Sequence, residues 1–223
     1  MRRRGEAVLL ETTLEKMNNK GFMKKRDESG VIVIGPRDER GKYKDVINTC
    51  SHSKNWTSEL SPFLLGPVKL ADGRESITME NAWQYAKLYP EHAIKSTGEP
   101  KMVYWNWSRA GMNNPRAVRY PMGKGRKPLC LILGVEKLDY IEARKRVYFP
   151  LYRDAVRETT AWAILKKVFH KEGRIVLWDF DGYERGEKSL KEVFDDPNKK
   201  AGHAFVLAAM LTYGEMIDPY RLP

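Results

Sequence analysis

A carboxylate, an indole, an amide and an amine occur within one short segment of the chain, at Glu80, Trp83, Gln84 and Lys87. In a helix of about 3.6 residues per turn, Glu80 and Lys87 return to nearly the same side, roughly 10 Å apart along the axis. A glutamate placed there can act as a general acid or base. A lysine at the edge of a core can have its pKa lowered by desolvation and act as a base or an amine nucleophile. The alternative is an ordinary amphipathic helix with two charges at its rim.

The helix that must position these side chains is predicted over residues 78–89. Ser76 or Thr78 can cap its start, and Pro90 is expected to stop it. At about 100° per residue, one apolar stripe faces the core. The stripe consists of Met79, Ala82, Trp83 and Ala86. Glu80 and Lys87 then lie beside the stripe, where they could line the wall of a pocket.

The other predicted elements are short strands and a larger number of helices. Strands are expected over residues 31–34, 46–49, 68–70, 129–133 and 174–181. Helices are expected over residues 101–110, 137–159, 161–170, 189–194 and 203–216. Pro150 predicts a kink in the longest of them or its division into two helices, and Gly173 predicts a helix end. Because strands and helices do not alternate regularly, the pattern favours a helix-rich α+β fold with a small sheet over a doubly wound one.

No internal repeat or Pro/Ser-rich linker interrupts the chain, so its 223 residues predict one domain over residues 31–223. Residues 1–30 are interpreted as a basic extension with a helix over residues 6–18. The residues around Arg119, from 116 to 127, contain five basic side chains together with glycine and proline, and are predicted to form a loop.

Composition narrows the class of protein. The chain is 42% hydrophobic and 31% charged, with a formal net charge of +11, which favours polyanionic partners such as nucleic acid or pyrophosphates. No apolar stretch is long enough to span a bilayer, and the basic N-terminus lacks a signal-peptide core, so a cytoplasmic location is expected. Cys50 and Cys130 are expected to stay reduced. The Cys50–His52 pair has no second pair at metal-ligand spacing, so no metal site is predicted.

The segment from Glu80 to Lys87 resembles the signature helix of the NADAR superfamily, which has a Glu, an aromatic residue, a Gln and a Lys at the same spacing. Upstream, residues 60–63 resemble the loop ending in Phe that precedes this helix in the family. Downstream, residues 141–152 resemble the family's long helix, although its usual Lys-Phe pair is replaced by Val147-Tyr148. Residues 178–182 resemble a segment with an acidic residue and a Trp-Gly, in altered order.

This resemblance implies an α+β domain of the NADAR type and a cofactor-free hydrolase that cleaves N-glycosidic bonds. Activities in that family include cleavage of riboflavin-pathway intermediates and removal of ADP-ribose from guanine in DNA. Cleavage at the anomeric carbon passes through an oxocarbenium-like state, which a carboxylate and a positioned acid can stabilise. Glu80 and Lys87 become the catalytic candidates by match to the motif. Lys87 could form a Schiff base with the opened ribose, or it could protonate or orient the leaving base.

Further residues are assigned to substrate binding. Gln84 belongs to the matched motif, and Trp83 or Trp178 could stack on a base. Asp181 or Asp179 could polarise a water, as a catalytic group, or bind ribose hydroxyls; the alternative is a plain turn after a strand. Phosphate contacts are expected from the basic loop through Lys124 and Arg126, with a plain surface loop as the alternative, and Arg119 of the same loop is expected to bind substrate.

Two other functions fit the sequence. One is a non-catalytic nucleic-acid-binding module, which the basic clusters and the 11% aromatic content permit. The other is an ADP-ribose-binding protein that retains the fold without the chemistry. A nucleic-acid binder would show a steep salt dependence, whereas an enzyme for a small nucleotide would show a shallow one.

Overall fold

Residues 30–223 are described by a computed structural model. The helix predicted over residues 6–18, and with it almost all of the predicted N-terminal extension, lies outside the described residues. From residue 30 onward the chain forms the expected mixed α+β fold, with helices and small sheets of short strands.

The strands are β1 (Val31–Ile34), β2 (Val46–Asn48), β3 (Val68–Lys69), β4 (Glu75–Ser76), β5 (Lys87–Leu88), β6 (Cys130–Leu133), β7 (Glu136–Leu138) and β8 (Ile175–Trp178). The helices are α1 (Met79–Tyr85), α2 (Met102–Met112), α3 (Tyr140–Ala143), α4 (Phe149–Val156), α5 (Thr160–Glu172), α6 (Leu190–Asp195) and α7 (His203–Tyr213). None of the helices within residues 30–223 combines the length and the apolar character needed to cross a bilayer.

A parallel sheet in the order β1-β8-β2 organises the fold. Its strands come from opposite ends of the described chain, so the sheet joins residues 31–48 to residues 175–178. Because the strands are parallel, their carboxyl ends meet at one edge. Gly35, Thr49 and Asp179 directly follow the three strands there. Ligands of parallel sheets bind preferentially at such an edge.

Helix α7 forms the centre of the core. Its first eight residues, 203–210, are all buried, and it packs against β1 and α4. A helix that is apolar on every side belongs inside a protein rather than on its surface. Its N-terminus is therefore held rigidly beside the carboxyl edge of the parallel sheet.

The helix predicted over residues 78–89 ends early, and Lys87 lies on a strand rather than on the helix. Thr78 caps α1 as expected, accepting a hydrogen bond from Asn81 N (3.2 Å). The carbonyl of Ala86 then accepts from Ile132 N (2.9 Å) and from the Tyr104 hydroxyl (3.0 Å), so it is engaged by sheet and side chain. Residues 87–88 pair antiparallel with β6. The argument from helical periodicity for Glu80 and Lys87 was therefore wrong.

The long helix predicted over residues 137–159 is divided into several elements. Its first residues form β7, which pairs antiparallel with β6, and Asp139 caps α3. Between α3 and α4 the chain makes one π-helical turn, Arg144–Tyr148, just before Pro150. A π turn widens the backbone ladder, and such turns occur frequently at functional sites. The irregularity expected at Pro150 is therefore present, but as a π turn that precedes the proline.

Several other predictions are confirmed with small shifts of their bounds. The apolar runs at residues 31–34 and 129–133 form β1 and β6, and the run at residues 174–181 forms β8 in its first part. Helix α5 ends at Gly173, which has φ 67°, as expected of a left-handed glycine cap. The segment between β2 and β3 contains a 3-10 helix, Trp56–Leu60, capped by Asn55.

Candidate active site

A cavity of about 1040 Å³ opens at the carboxyl edge of the parallel sheet. This volume is at the upper end of the range of small-molecule sites, about 300–1,000 Å³. Nine of the ten predicted site residues line it. They are Glu80, Trp83, Gln84, Lys87, Arg119, Arg126, Trp178, Asp179 and Asp181. Lys124 is exposed and does not line the cavity, so the structure does not place it with the others.

A hydrogen-bonded chain joins the two catalytic candidates. The Gln84 Nε2 donates to Glu80 Oε1 (2.8 Å), and Lys87 Nζ donates to Gln84 Oε1 (2.7 Å). Glu80 and Gln84 are one turn apart on α1, and Lys87 follows after the helix has ended. Glu80 and Lys87, which helical periodicity placed on one side of a longer helix, are thus joined through the Gln84 amide, which fixes both charged ends.

Burial brings the pKa values of Glu80 and Lys87 closer together. Desolvation raises the pKa of Glu80, and the hydrogen bond from Gln84 and the charge of Lys87 oppose the rise. Desolvation lowers the pKa of Lys87 to about 8, against the attraction of Glu80. A protonatable carboxyl and an amine with a partly neutral population near pH 7 are the groups that acid–base and nucleophilic chemistry need.

Aromatic rings form one wall of the cavity around Lys87. Its Nζ lies 4.6 Å from the centroid of the Trp83 ring. Tyr148 contacts the same ring edge-on, at 5.1 Å between centroids. Burial and the charge of Asp179 raise the pKa of Tyr148 well above its ordinary value, so its phenol stays protonated. In the structure, Trp83 therefore positions Lys87, and its stacking on a substrate base stays a prediction.

Of the two acids after β8, Asp179 is the buried one. Its Oδ2 accepts from Ala204 N (3.3 Å) at the start of α7, and its Oδ1 accepts from Asp181 N (3.2 Å). A Cβ on Gly202 would lie 2.0 Å from Asp179 Oδ2, so only glycine admits this close approach. An anion at a helix N-terminus is stabilised by the unpaired amides there. Asp179 therefore holds the turn against α7.

His203, the first residue of α7, completes this arrangement. Its Nε2 lies 2.9 Å from the carbonyl of Thr49, and its Nδ1 lies 3.3 Å from Asp179 Oδ2. The buried imidazole thereby joins the ends of β2, β8 and the start of α7. Nothing in the local sequence around His203 indicates these partners, which are distant along the chain.

Asp181 is the acid that reaches the mouth of the cavity. Its Oδ2 lies 2.5 Å from Arg119 Nη2, and its Oδ1 lies 3.3 Å from Lys200 Nζ. Arg119 is positioned by a residue on α1, Asn81, which is fully buried. Asn81 donates to the carbonyls of Asn114 and Arg116 (both 2.9 Å) and accepts from Val118 N. The signature helix thus also fixes the basic loop.

The basic loop contributes differently from the prediction. Arg126 lines the cavity but is exposed and forms an ion pair with Glu91. With Lys124 outside the cavity, the cations nearest the candidate acids are Arg119 and Lys200. Phosphate binding through Lys124 and Arg126 is therefore less well supported than binding through Arg119 and Lys200.

Two other cavity residues, Arg144 and Cys50, are unsuited to a catalytic role. Arg144 is 1% exposed and donates to the carbonyls of Val193, Phe194, Asp196 and Lys199. It holds the segment that leads to Lys200 and α7. The thiol of Cys50 has its pKa raised by burial to about 11, so it is a poor nucleophile. Within residues 30–223, no three His, Cys, Asp or Glu side chains are grouped as a set of metal ligands.

The fold and the cavity together define an α+β protein with a nucleotide-sized, charged site at the carboxyl edge of a parallel sheet. The chain belongs to the family of unknown function DUF6939, whose model matches residues 38–204. That range contains every residue that lines the cavity, from Asn48 to His203. Comparison with curated proteins and with solved structures gave no match.

Proposed function

We propose that this protein is a cofactor-free N-glycosidase of the NADAR type, which hydrolyses the bond between ribose and a base in an ADP-ribosyl or ribosyl-phosphate substrate. The observation that carries the proposal is the buried chain Glu80–Gln84–Lys87 inside a cavity of about 1040 Å³. A structural salt bridge would need no bridging amide and no adjoining space. The proposal includes a cytoplasmic location, where the free thiols of Cys50 and Cys130 stay reduced.

In the proposed reaction, Glu80 acts as the general acid. Burial raises its pKa, which increases the protonated fraction of the carboxyl that a proton donor to a leaving base requires. Gln84 holds one carboxyl oxygen, Oε1, at 2.8 Å. The proton moves from Glu80 to the base nitrogen as the bond from that nitrogen to the anomeric carbon breaks.

Lys87 acts as the amine nucleophile on the anomeric carbon. Its lowered pKa, about 8, supplies neutral amine near pH 7. The amine forms a bond to this carbon as the base departs, and the ribose ring opens to a Schiff base as a proton passes from the nitrogen to the ring oxygen. Water then hydrolyses the Schiff base and releases the sugar, and the surplus proton returns from the amine to the Glu80 carboxylate. Gln84 and the Trp83 ring hold the amine in place.

The remaining cavity residues bind the substrate in this proposal. Arg119 and Lys200 contact its phosphates, and both already hold an anion, the Asp181 carboxylate. Displacement of that carboxylate by phosphate would free Asp181 to bind a ribose hydroxyl or a water. Trp178, half-buried at the end of β8, is available to pack against a base or the sugar.

A non-catalytic nucleic-acid-binding or ADP-ribose-binding module is the second candidate. Seven Lys or Arg side chains and three carboxylates line the cavity, an excess of positive charge that suits a polyanion without any chemistry. A pure binder gives no reason, however, for an acid and an amine to be buried together, since burying charges costs free energy.

The test is product release from three substrates: ADP-ribosylated single-stranded DNA, free ADP-ribosyl nucleosides and riboflavin-pathway intermediates. The wild type is expected to release ADP-ribose or ribose phosphate from at least one. Glu80→Gln should be slower by about 100-fold to 10,000-fold, the usual contribution of general acid catalysis. Gln keeps the shape and the contact to Gln84 but has no proton of suitable acidity.

Glu184→Gln is the matched control, since Glu184 is an exposed carboxylate that does not line the cavity. It should retain wild-type rates. If the wild type binds ADP-ribose or DNA but releases nothing from any of the three substrates, the catalytic proposal is wrong and the binding module replaces it.

A further inference from the structure

Two exposed aromatic rings lie at the mouth of the cavity, on separate segments of the chain. Tyr120 is 38% exposed and Phe180 is 53% exposed, and both line the cavity. The guanidinium of Arg119 contacts both rings, at 4.1 Å from the centroid of Phe180 and 5.5 Å from that of Tyr120. A single exposed ring is ordinary, but two exposed rings around one cation at a cavity mouth form the kind of apolar patch that marks a binding site.

One lysine, Lys200, adjoins the Tyr120 ring, and two more exposed lysines line the same cavity. Lys200 Nζ lies 5.7 Å from the centroid of Tyr120, and Lys127 and Lys199 are exposed among the cavity residues. The acid nearest to them, Asp181, is already paired with Arg119 and Lys200. We call Arg119, Tyr120, Lys127, Phe180, Lys199 and Lys200 the mouth surface. It combines positive charge with accessible ring faces.

We propose that the mouth surface binds a single-stranded nucleic acid. Tyr120 and Phe180 stack on unpaired bases that flank the nucleotide in the cavity, and the lysines contact the phosphates between them. Stacking requires bases that are not already paired, so the bases within a duplex are not accessible to the two rings. A free nucleotide would be held inside the cavity, which gives the exposed rings no role. The inference rests on the proposed function only for the claim that a nucleotide enters the cavity.

The charge pattern supports a strand over a small ligand. A strand carries one phosphate per nucleotide, and the mouth surface spreads its cations over the two segments that hold Lys127 and Lys199–Lys200. Each phosphate contact releases counterions, so binding is expected to weaken steeply as salt is raised. The rings add a contribution that depends on unpaired bases and much less on salt.

Fluorescence anisotropy of the full chain with a labelled twelve-nucleotide oligothymidine tests this inference, with the matching duplex measured at the same salt. The double variant Tyr120→Leu/Phe180→Leu should weaken single-strand binding by about tenfold or more, since base stacking on aromatic rings contributes substantially per base. Leu keeps apolar bulk but has no ring face. Tyr120→Phe should bind as the wild type does. Lys200→Ala should reduce the slope of log affinity against log salt by about one.

Tyr213→Leu and Lys171→Ala are the controls, because both side chains are exposed and neither lines the cavity. They should leave binding unchanged, and thermal melting confirms that each variant is folded. The proposal is overturned if the double aromatic variant binds like wild type, if the duplex binds as well as the single strand, or if polyglutamate competes as effectively as oligothymidine.

The binding experiment and the cleavage experiment test the two proposals separately. Single-strand binding that depends on the rings, with no release of product from any substrate, supports the mouth surface and removes the catalytic proposal. Cleavage of free ADP-ribosyl nucleosides without single-strand binding supports the glycosidase proposal and overturns the one for the mouth surface.

Discussion

Lys87→Ala is expected to lower kcat for glycosidic cleavage by about three orders of magnitude, within the range seen when a catalytic proton-transfer group or nucleophile is removed. The amine is held by Gln84 at 2.7 Å and by the Trp83 ring, and Ala leaves both contacts without a partner. Lys87→Arg should be equally inactive, because a guanidinium retains its charge and is not deprotonated in proteins. Steady-state kinetics on the best substrate of the wild type measures both.

The matched control is Lys166→Ala. Lys166 also lies near an indole, 5.7 Å from the centroid of Trp162, and also pairs with a carboxylate, Glu215, but it does not line the cavity. It should retain full activity. Retention of more than about a tenth of wild-type kcat by Lys87→Ala would remove Lys87 from the chemical step, since one tenth corresponds to only about 1.4 kcal/mol.

The pH dependence of kcat/KM separates the two roles open to Lys87. The comparison is made in Glu80→Gln, because loss of the Glu80 proton would itself lower the wild-type rate as pH rises. There, a nucleophilic Lys87 must be neutral, so the residual rate should rise with pH and level off by about 8, where the amine has lost its proton. As an acid it must be charged, so the rate would fall over the same interval. The proposal expects the rise. Reduction with borohydride during turnover should also attach the sugar to the wild type and not to Lys87→Arg, because only an amine forms a reducible Schiff base.

Local signals in the sequence were sufficient where neighbouring residues determine the structure. The β-branched run at residues 31–34, the Gly173 helix end and the cap at Thr78 each depend on adjacent residues, and each is present in the structure. The composition of the cavity was also largely predictable, because Glu80, Gln84 and Lys87 are close in sequence as well as in space.

What could not be predicted depends on partners distant along the chain. Periodicity continued the signature helix to Tyr89, whereas pairing with β6, more than forty residues later, makes residues 87–88 a strand. His203 appeared to be an unremarkable helix-start residue, because its contacts to Thr49 and Asp179 come from sequence separations of 154 and 24 residues. Pattern reasoning detects side-chain types and short spacings, and tertiary pairing overrides both.

Arg144 illustrates the same limit and carries the second large prediction. From the π turn between α3 and α4, its guanidinium reaches the end of α6 and the segment that follows it. There it donates to four backbone carbonyls, of residues 193, 194, 196 and 199, and lies 4.4 Å from the centroid of the Tyr140 ring. An arginine that lines a nucleotide-sized cavity suggests a phosphate ligand, but these contacts indicate a structural role.

Arg144→Leu is therefore expected to lower the free energy of unfolding by about 3–5 kcal/mol, because several buried carbonyls lose their donor at once. Urea denaturation measures the loss, with Arg153→Leu as control: Arg153 donates to one carbonyl, of Ile217, and to the partly exposed Asp154, so its removal should cost about 1 kcal/mol. Because the held segment carries Lys200 and leads into His203, activity should fall in parallel with stability. A variant that keeps its stability yet loses substrate affinity would instead make Arg144 a phosphate ligand.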